Sequence, residues 1–503
     1  MNTRINRPET KRVLVTGASG YIGGRLVPEL LGAGHKVRAA SRRPERLDRF
    51  DWYPDVETVA ADLDDPSTLD GALEGVDVAF YLVHSMGDGG SDFEDAESRA
   101  AANFAEAADR AGVSRIIYLS GLHPPDHALE ELSRHMRSRE KVARTLLDGS
   151  VPTVVLRAAT VIGSGSASFE IIRHLTERLP VMFAPQWINN RIEPISVRDV
   201  LHYLTAAADS ESLDGVNDQF DVGCGHTYRF SDLLRLYGKV RGLRRVIGAV
   251  PLSLPMDVLS GAWIGLVTPV PSSLAVPLAQ SMAEDAVTTD GHRIREFLPD
   301  PPDGLADYPT AVERALYREA TGEVPTSWDH SWRKSAEPSE ELPTDPEWSG
   351  QTVYTDRRQA RTDLSVDQVW RVVESIGGHT GWFSTPFLWN LRGVMDRVIG
   401  GPGLGGRRDP RKLSPGDRVD WWRVERIERP HLLILRAEMK VSGLAWLVLR
   451  VDEEDGETVY RQEAIFVPKG LRGRAYWWLV APFHAAVFPL MKKNLIKTAR
   501  NPQ

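Results

Sequence analysis

The chain has 503 residues, 42% hydrophobic and 26% charged, with 42 Gly, 33 Pro and one Cys. At roughly 100–200 residues per domain this length holds two to four domains, and so ordinary a composition excludes a disordered, collagen-like or disulfide-stapled chain. The single Cys224 cannot form an internal disulfide, and Met1–Thr10 is polar with no apolar signal core, so a reducing, cytoplasmic setting is expected.

The net charge of −8 is unevenly spread: residues 351–503 hold 25 Lys+Arg against 17 Asp+Glu, while the first 350 hold 36 against 52. Two units with different surfaces are expected. The basic half can face an anionic partner, a membrane surface or the acidic half. Charge alone favours none of these, and a solvated or intramolecular role is the commoner.

In chain order, Arg12–Gly23 (RVLVTGASGYIG) is the most informative segment. An apolar strand ends at Thr16, Gly17, Gly20 and Gly23 follow, and a helical pattern runs over Tyr21–Ala33. Glycines let the backbone turn and approach a pyrophosphate seated on helix N–H groups, and the strand before and helix after make this dinucleotide reading credible. The second strand, Lys36–Ala40, ends in Ser41-Arg42-Arg43, where an NAD site usually offers an acid. A hydroxyl and two guanidiniums suit a 2′-phosphate instead, so NADP(H) is favoured over NAD(H); a solvated basic turn is the alternative. Asp62-Leu63 follows the third apolar run and is positioned to cover the adenine.

Strands over Val76–His84, Arg115–Ser120 and Thr153–Arg157 alternate with helices over Glu94–Ala111 and Ser133–Leu147, which predicts a doubly wound parallel α/β sheet of Rossmann type. His84 ends the fourth strand, where a nicotinamide is expected, and histidine suits acid/base work near neutrality. A hydrogen-bonded structural histidine is the slightly commoner role, and Ser85, Ser138 and Arg139 are weaker candidates. Arg157 can orient a substrate, though a structural ion pair is the more frequent use. Gly163–Ser168 (GSGSAS) reads equally as a substrate loop, an anion nest or a turn.

Val250–Met282 is apolar but broken by five prolines and Asp257. Gly322–Gly350 is proline- and charge-rich without periodicity and reads as a linker. Beyond it, Arg418–Ile427, His431–Lys440, Ala445–Asp452 and Thr458–Phe466 predict an antiparallel meander closed by a helix over Tyr476–Lys497, an α+β unit. Within that helix, Ala475–Met491 has no Asp, Glu, Lys or Arg, the lower edge of a membrane span. Pro482, His484 and Pro489 favour a buried or groove-lining helix over a span. Arg472, Arg474, Lys492 and Lys493 flank it and leave peripheral lipid contact open. Eight of 14 tryptophans fall in this half, and Trp382, Trp389, Trp421, Trp422, Trp446, Trp477 and Trp478 suit either a concave apolar-ligand site or an aromatic core. Gly400–Arg408 reads as a rim loop. The sequence shows no zinc spacing, no basic stripe interleaved with aromatics for nucleic acid, and no hydrolase motif.

The glycine loop, Asp62-Leu63, Tyr118–Gly121 (YLSG), Leu156–Ala159 (LRAA) and Glu193–Val200 (EPISVRDV) together resemble the extended and atypical short-chain dehydrogenase/reductases, in the NmrA-like branch, over about residues 10–320. GSGSASFE at Gly163–Glu170 and WFSTPFLW at Trp382–Trp389 resemble bacterial NAD(P)H-binding proteins with an appended carboxy-terminal domain. The resemblance implies a cofactor across the sheet's carboxyl edge, on Gly17, Ser19, Gly20, Tyr21, Ile22, Gly23, Ser41, Arg42, Arg43, Asp62, Leu63, Leu82, Val83 and Lys141. It implies a substrate lobe over about 165–320, with Arg157, Ser164 and Trp187 beside the substrate. The sheet-then-helix order of residues 351–503 is similar to START-like helix-grip folds, with 321–350 as linker. The catalytic signature departs from the pattern: the family's Tyr-x-x-x-Lys falls on Arg137–Lys141 (RSREK), so arginine stands for tyrosine. Ser120, Lys141, Arg139 and His84 remain to handle the proton.

These readings give an NADP(H)-dependent oxidoreductase acting on a bulky, lipophilic acceptor such as an enone, a quinone-like compound or a carbonyl. Its rivals are a non-catalytic NADP(H) sensor or assembly factor and a lipid carrier.

Overall fold

The computed structural model describes residues 10–83, 93–124, 127–249, 268–281, 284–290, 292–316, 352–378, 380–384, 407, 412–439 and 441–501. His84, Ser85, Trp389, residues 250–267, the Gly322–Gly350 stretch and all of Gly400–Arg408 but Arg407 lie outside them. The described residues up to Leu316 form one compact unit and those from Thr352 onward a second.

In the first unit, β1 (Arg12–Val15), β2 (Lys36–Ser41), β3 (Glu57–Ala60), β4 (Val78–Tyr81), β5 (Arg115–Gly121), β6 (Thr153–Ala158) and β7 (Asp218–Val222) form one sheet in the order β7-β6-β5-β4-β1-β2-β3. Every neighbouring pair is parallel. Parallel strands need helical crossovers on both faces, which is why β1, β4, β5 and β6 read as continuous apolar runs. Successive residues face opposite layers. Val13, Val15, Phe80 and Phe220 pack on α1 (Tyr21–Gly32) and α6 (Val197–Asp209). Leu14, Ala79, Tyr81, Ile116 and Val155 pack on α2 (Leu69–Leu73), α3 (Phe93–Ala111) and α4 (Arg134–Leu147). The strand order reverses between β1 and β4, and the crevice there is the switch point where doubly wound sheets take ligands. β4 is shorter than its apolar run: it closes at Tyr81, and Leu82 and Val83 leave the sheet.

A lobe built on α5 (Ala167–Arg178), α7 (Phe230–Val240), α8 (Ser272–Ser281) and α9 (Tyr308–Ala315) buries Phe169, Leu175, Leu233, Tyr237, Ala275 and Val312.

In the second unit, β8 (Tyr354–Thr362), β9 (Arg418–Val419), β10 (Trp422–Glu428), β11 (Leu432–Ala437), β12 (Gly443–Glu454) and β13 (Glu457–Pro468) form an antiparallel sheet in the order β8-β13-β12-β11-β10-β9. The run expected as one strand over Arg418–Ile427 is a hairpin instead. Asp420 adopts φ +56° and turns the chain, and its carboxylate accepts from Trp382 Nε1 (2.8 Å) and the Gly378 N–H (3.2 Å). Aspartate tolerates this left-handed conformation because its short side chain bonds locally. Helix α10 (Val366–Glu374) starts on a Ser365/Gln368 capping box, and α11 (Gly470–Arg500) closes the unit. Trp370, Trp421, Leu435, Leu449, Tyr460, Phe488, Met491 and Leu495 form the core between sheet and helices. Trp382, Trp422, Trp446 and Trp477 are buried as well, so among the described tryptophans of this unit an aromatic core accounts for all but Trp478, which is exposed.

Arg157 on β6 donates Nε to Asp221 on β7 (2.7 Å), and the fully buried Asp221 carboxylate also accepts from the Thr289 N–H (2.8 Å). Removing one member of a buried pair strands the other charge, so Arg157→Ala is expected to destabilise the protein by about 3–5 kcal/mol. Urea unfolding checks this, and the double variant Arg157→Met/Asp221→Leu should lose much less.

Candidate functional site at the carboxyl edge of the parallel sheet

The site begins where β1 ends. The Thr16 hydroxyl donates to the Phe80 carbonyl (2.8 Å) and accepts the Leu82 N–H (3.1 Å), fastening the exits of β1 and β4 together. Gly17 turns at φ +67°, and a Cβ there would stand 2.6 Å from the Leu82 carbonyl oxygen. The Gly20 N–H returns to the Gly17 carbonyl (2.8 Å), and a Cβ on Gly23 would lie 2.2 Å from that same oxygen. Only glycine permits so tight a coil of main chain. Helix α1 then starts at Gly20 with no side-chain cap and no acid in its first turn. Its first N–H groups and the positive end of its dipole are thus left for an anion at the switch point. The cradle that a Cβ would fill and the uncapped helix end fit a dinucleotide's pyrophosphate. Ser19 and Gly20 are exposed, and Tyr21 and Ile22 half-buried.

Beside the loop, Arg25 is buried with its guanidinium 4.0 Å from the Tyr21 ring centre, donating to the carbonyls of Tyr21 (3.1 Å) and Ser164 (3.3 Å). It ties the glycine loop to the Gly163–Ser168 turn. That turn is built for structure rather than as an anion nest: Glu170 accepts the Gly165 N–H (2.9 Å), Arg173 donates to Ser164 Oγ (3.2 Å), and Ser166 Oγ donates to the Val161 carbonyl (2.7 Å). Ser164, expected beside the substrate, is buried in this framework, and a carboxylate already fills the nest. Arg157 is likewise committed to Asp221, and Trp187 is half-buried with its ring edge on Phe230 (5.4 Å).

At the end of β2, Ser41 Oγ accepts the Arg43 N–H (3.2 Å), and Arg42 and Arg43 are both exposed. The Asp62 side chain accepts the Asp64 N–H (3.2 Å), and the Leu63 carbonyl accepts from Asn103 Nδ2 on α3 (2.9 Å). These bonds fix the rim that follows β3. Leu82 is half-buried and Val83 exposed at the exit of β4.

Across the sheet, α3 and α4 carry the positions of the expected catalytic signature. Glu94, in the first turn of α3, accepts from Arg137 Nε (3.0 Å) and Nη2 (2.8 Å) and from Lys141 Nζ (3.0 Å), with Arg134 3.7 Å away. The Arg137 hydrogen bond, helped by Lys141, holds the Glu94 carboxyl down to about 2. Lys141, expected from the resemblance to be directed at a cofactor, is here one of the bases gathered on Glu94 between α3 and α4. Arg139 donates to the Leu119 carbonyl (3.1 Å) and to His135 (3.3 Å), bracing α4 on β5. Ser120 is buried on β5, and Ser138 donates to Glu97.

Sequence reading missed one pair. His123, just past β5, approaches Glu140 Oε2 with Nε2 (3.1 Å) and the Pro124 carbonyl with Nδ1 (3.0 Å). Both ring nitrogens face acceptors, so the imidazolium is the form they suit. Burial opposes the charge, but these bonds raise the His123 pKa, and the paired Glu140 carboxyl is lowered despite its own burial. Nearby, burial raises Glu284, which His127 and His123 counteract. The available signal was position: His123 follows a strand's carboxyl end, and Glu140 sits in the RSREK run of the expected signature.

Among known proteins, residues 17–157 match the family described as NAD(P)H-binding, and residues 348–491 match one described as “Protein of unknown function (DUF2867)”. The chain is 35% identical over 122 residues to 3 beta-hydroxysteroid dehydrogenase/Delta 5-->4-isomerase of Mycobacterium tuberculosis, covering 22% of this chain and 32% of that one. It is 33% identical over 177 residues to (4-alkanoyl-5-oxo-2,5-dihydrofuran-3-yl)methyl phosphate reductase of Streptomyces griseus, covering 34% of this chain and 57% of that one. The chain thus spans from a third to just over half the length of these relatives. A solved structure of Citrobacter triphenylmethane reductase complexed with NADP(H) superposes at TM-score 0.48 with 18% identity, covering 61% of this chain and all of that one. The first unit has the NAD(P)H-binding, Rossmann-type fold.

Gly23→Ala forces backbone apart at the loop and is expected to cost at least about 2 kcal/mol of stability and to abolish cofactor uptake, read by urea unfolding and calorimetry with NADPH. Glu94 has a depressed pKa, so its stabilisation is complete above the ordinary value of 4.5 and is lost as the pH falls toward about 2. Glu94→Gln should lower stability by about 1–2 kcal/mol at neutral pH, a gap that narrows through that acid window; a gap constant with pH in urea melts contradicts the assignment.

Proposed function

We propose that the protein is an NADP(H)-dependent reductase of a bulky, lipophilic acceptor. The observation that carries this reading is the tightly coiled glycine loop over Gly17–Gly23 and the uncapped helix end after it, at the switch point of a parallel sheet. The exposed Arg42 and Arg43, beside Ser41, would take the 2′-phosphate by charge-assisted pairing. When bound, the dinucleotide supplies a hydride. Support for an oxidoreductase comes from the named relatives, a dehydrogenase/isomerase and a reductase. The carboxy-terminal unit, an antiparallel sheet with a long helix against its core, supports a START-like reading.

With Arg137 and Lys141 bound to Glu94, proton supply falls to another group, and His123 is the best placed. It stands just past the carboxyl end of β5, its imidazolium form favoured by Glu140 and the Pro124 carbonyl, one of which it would have to release to donate. Its raised pKa keeps the acid form present above the ordinary histidine range, so turnover should fall on the alkaline side as the pH passes that raised value. A second reading is favoured by the same Glu94 cluster: a protein whose signature residues are locked in structure can bind NADP(H) as a sensor without turnover.

NADPH with a panel of quinones and enones separates the two. Steady loss of NADPH absorbance supports the reductase, and tight binding without turnover supports the sensor. In a turning-over enzyme, His123→Gln is expected to lower kcat by about 100-fold with NADPH affinity unchanged, and an unchanged rate removes His123 from the mechanism.

A further inference from the structure

Helix α11 has two unlike faces. Trp477, Val480, Val487, Phe488, Met491, Leu495 and Ala499 are buried against the rest of the unit. On the other side, Leu471 is 53% exposed, Trp478 69%, Leu479 77% and Leu490 43%. Ala475, Pro482, Ala485 and Ala486 are exposed between them. At 3.6 residues per turn all eight fall within an arc of roughly 140°. Surface helices normally give that arc to charged residues, yet no Asp, Glu, Lys or Arg occurs from Ala475 to Met491. The charges lie at the ends: Arg472 is exposed at the start, and exposed Lys493 and Lys497 continue the same arc beyond the apolar stretch. Trp478 is seated with its ring edge toward Tyr354 (6.4 Å), while Trp477 stacks on Tyr354 (5.3 Å) and Phe466 (5.9 Å). Ordering Trp478 at an interface therefore costs little side-chain entropy.

We propose that this face of α11 docks on an anionic lipid surface, Trp478 and Leu479 entering the headgroup–acyl boundary while Arg472, Lys493 and Lys497 meet lipid phosphates. Charge selects this occupant. Residues 351–503 carry 25 basic and 17 acidic groups, and the arc itself presents bases without an acid. A second copy paired two-fold in antiparallel fashion would bring Lys493 and Lys497 toward the partner's basic end with no carboxylate to answer them. Among the described residues no helix is long and apolar enough to cross a membrane, so the contact is peripheral. The proposal is independent of the reductase reading.

The experiment floats full-length protein with vesicles of phosphatidylcholine alone or mixed with phosphatidylglycerol, at low and high salt. Wild type should rise with the mixed vesicles, less with the neutral ones, and less in salt. Trp478→Ser/Leu479→Ser should weaken recovery on mixed vesicles by at least about tenfold, and Lys493→Glu/Lys497→Glu should remove the preference for anionic lipid. All four positions are exposed, so circular dichroism and thermal midpoint should match wild type; if the apolar pair unfolds, the charge pair alone decides. Folded wild type that stays off every vesicle, variants that bind as wild type does, or a Leu479-dependent dimer without lipid binding would each overturn the proposal.

Discussion

The structure of the first unit turns on the contact between the Gly17 turn and the exit of β4. The Thr16 hydroxyl bridges the Phe80 carbonyl and the Leu82 N–H, and the bare Gly17 main chain rests on the Leu82 carbonyl. With the two central strands held at that separation, a side chain at Gly17 would meet the Leu82 carbonyl, and Gly23 must pass against the Gly17 carbonyl. The helix end is consequently brought bare to the crevice. An anion at this end would meet main-chain N–H groups that the helix leaves unsatisfied, since the loop carries no charged side chain.

Around that centre the charged residues divide by burial. Arg25, Arg157 and Arg173 lie inside and hold the framework through Ser164 and Asp221. Glu94 gathers Arg137 and Lys141 at the head of α3, and His123 with Glu140 forms a separate pair past β5. Arg137, where the resemblance expected a tyrosine, is thus part of an interhelical brace.

The second unit shows why residue type alone does not assign a tryptophan. Trp370, Trp382 and Trp446 each satisfy the indole N–H on a carboxylate, Glu374, Asp420 and Glu425, and bury their rings. Trp478, one residue after the buried Trp477, points outward because a helix rotates about 100° per residue. Among the described tryptophans a cluster that could have lined a cavity is mostly core, and the exposed exception sits on the apolar face of α11.

The order of strands and helices, the glycine loop and the basic end of β2 were legible in the sequence, because parallel strands buried on both faces are continuous apolar runs and because a sharp turn beside a strand requires glycine. The antiparallel meander and its closing helix were legible for the same reason of periodicity. What the sequence left open was pairing between residues far apart along the chain. Arg157 finds Asp221 64 positions later, Lys141 finds Glu94 47 positions earlier, and His123 meets Glu140 across a loop and a helix turn. A lone ionisable side chain carries no local mark of its partner. Whether it is a framework ion pair or a group free for chemistry was decided only when the tertiary fold brought the second charge within reach and removed the water between them.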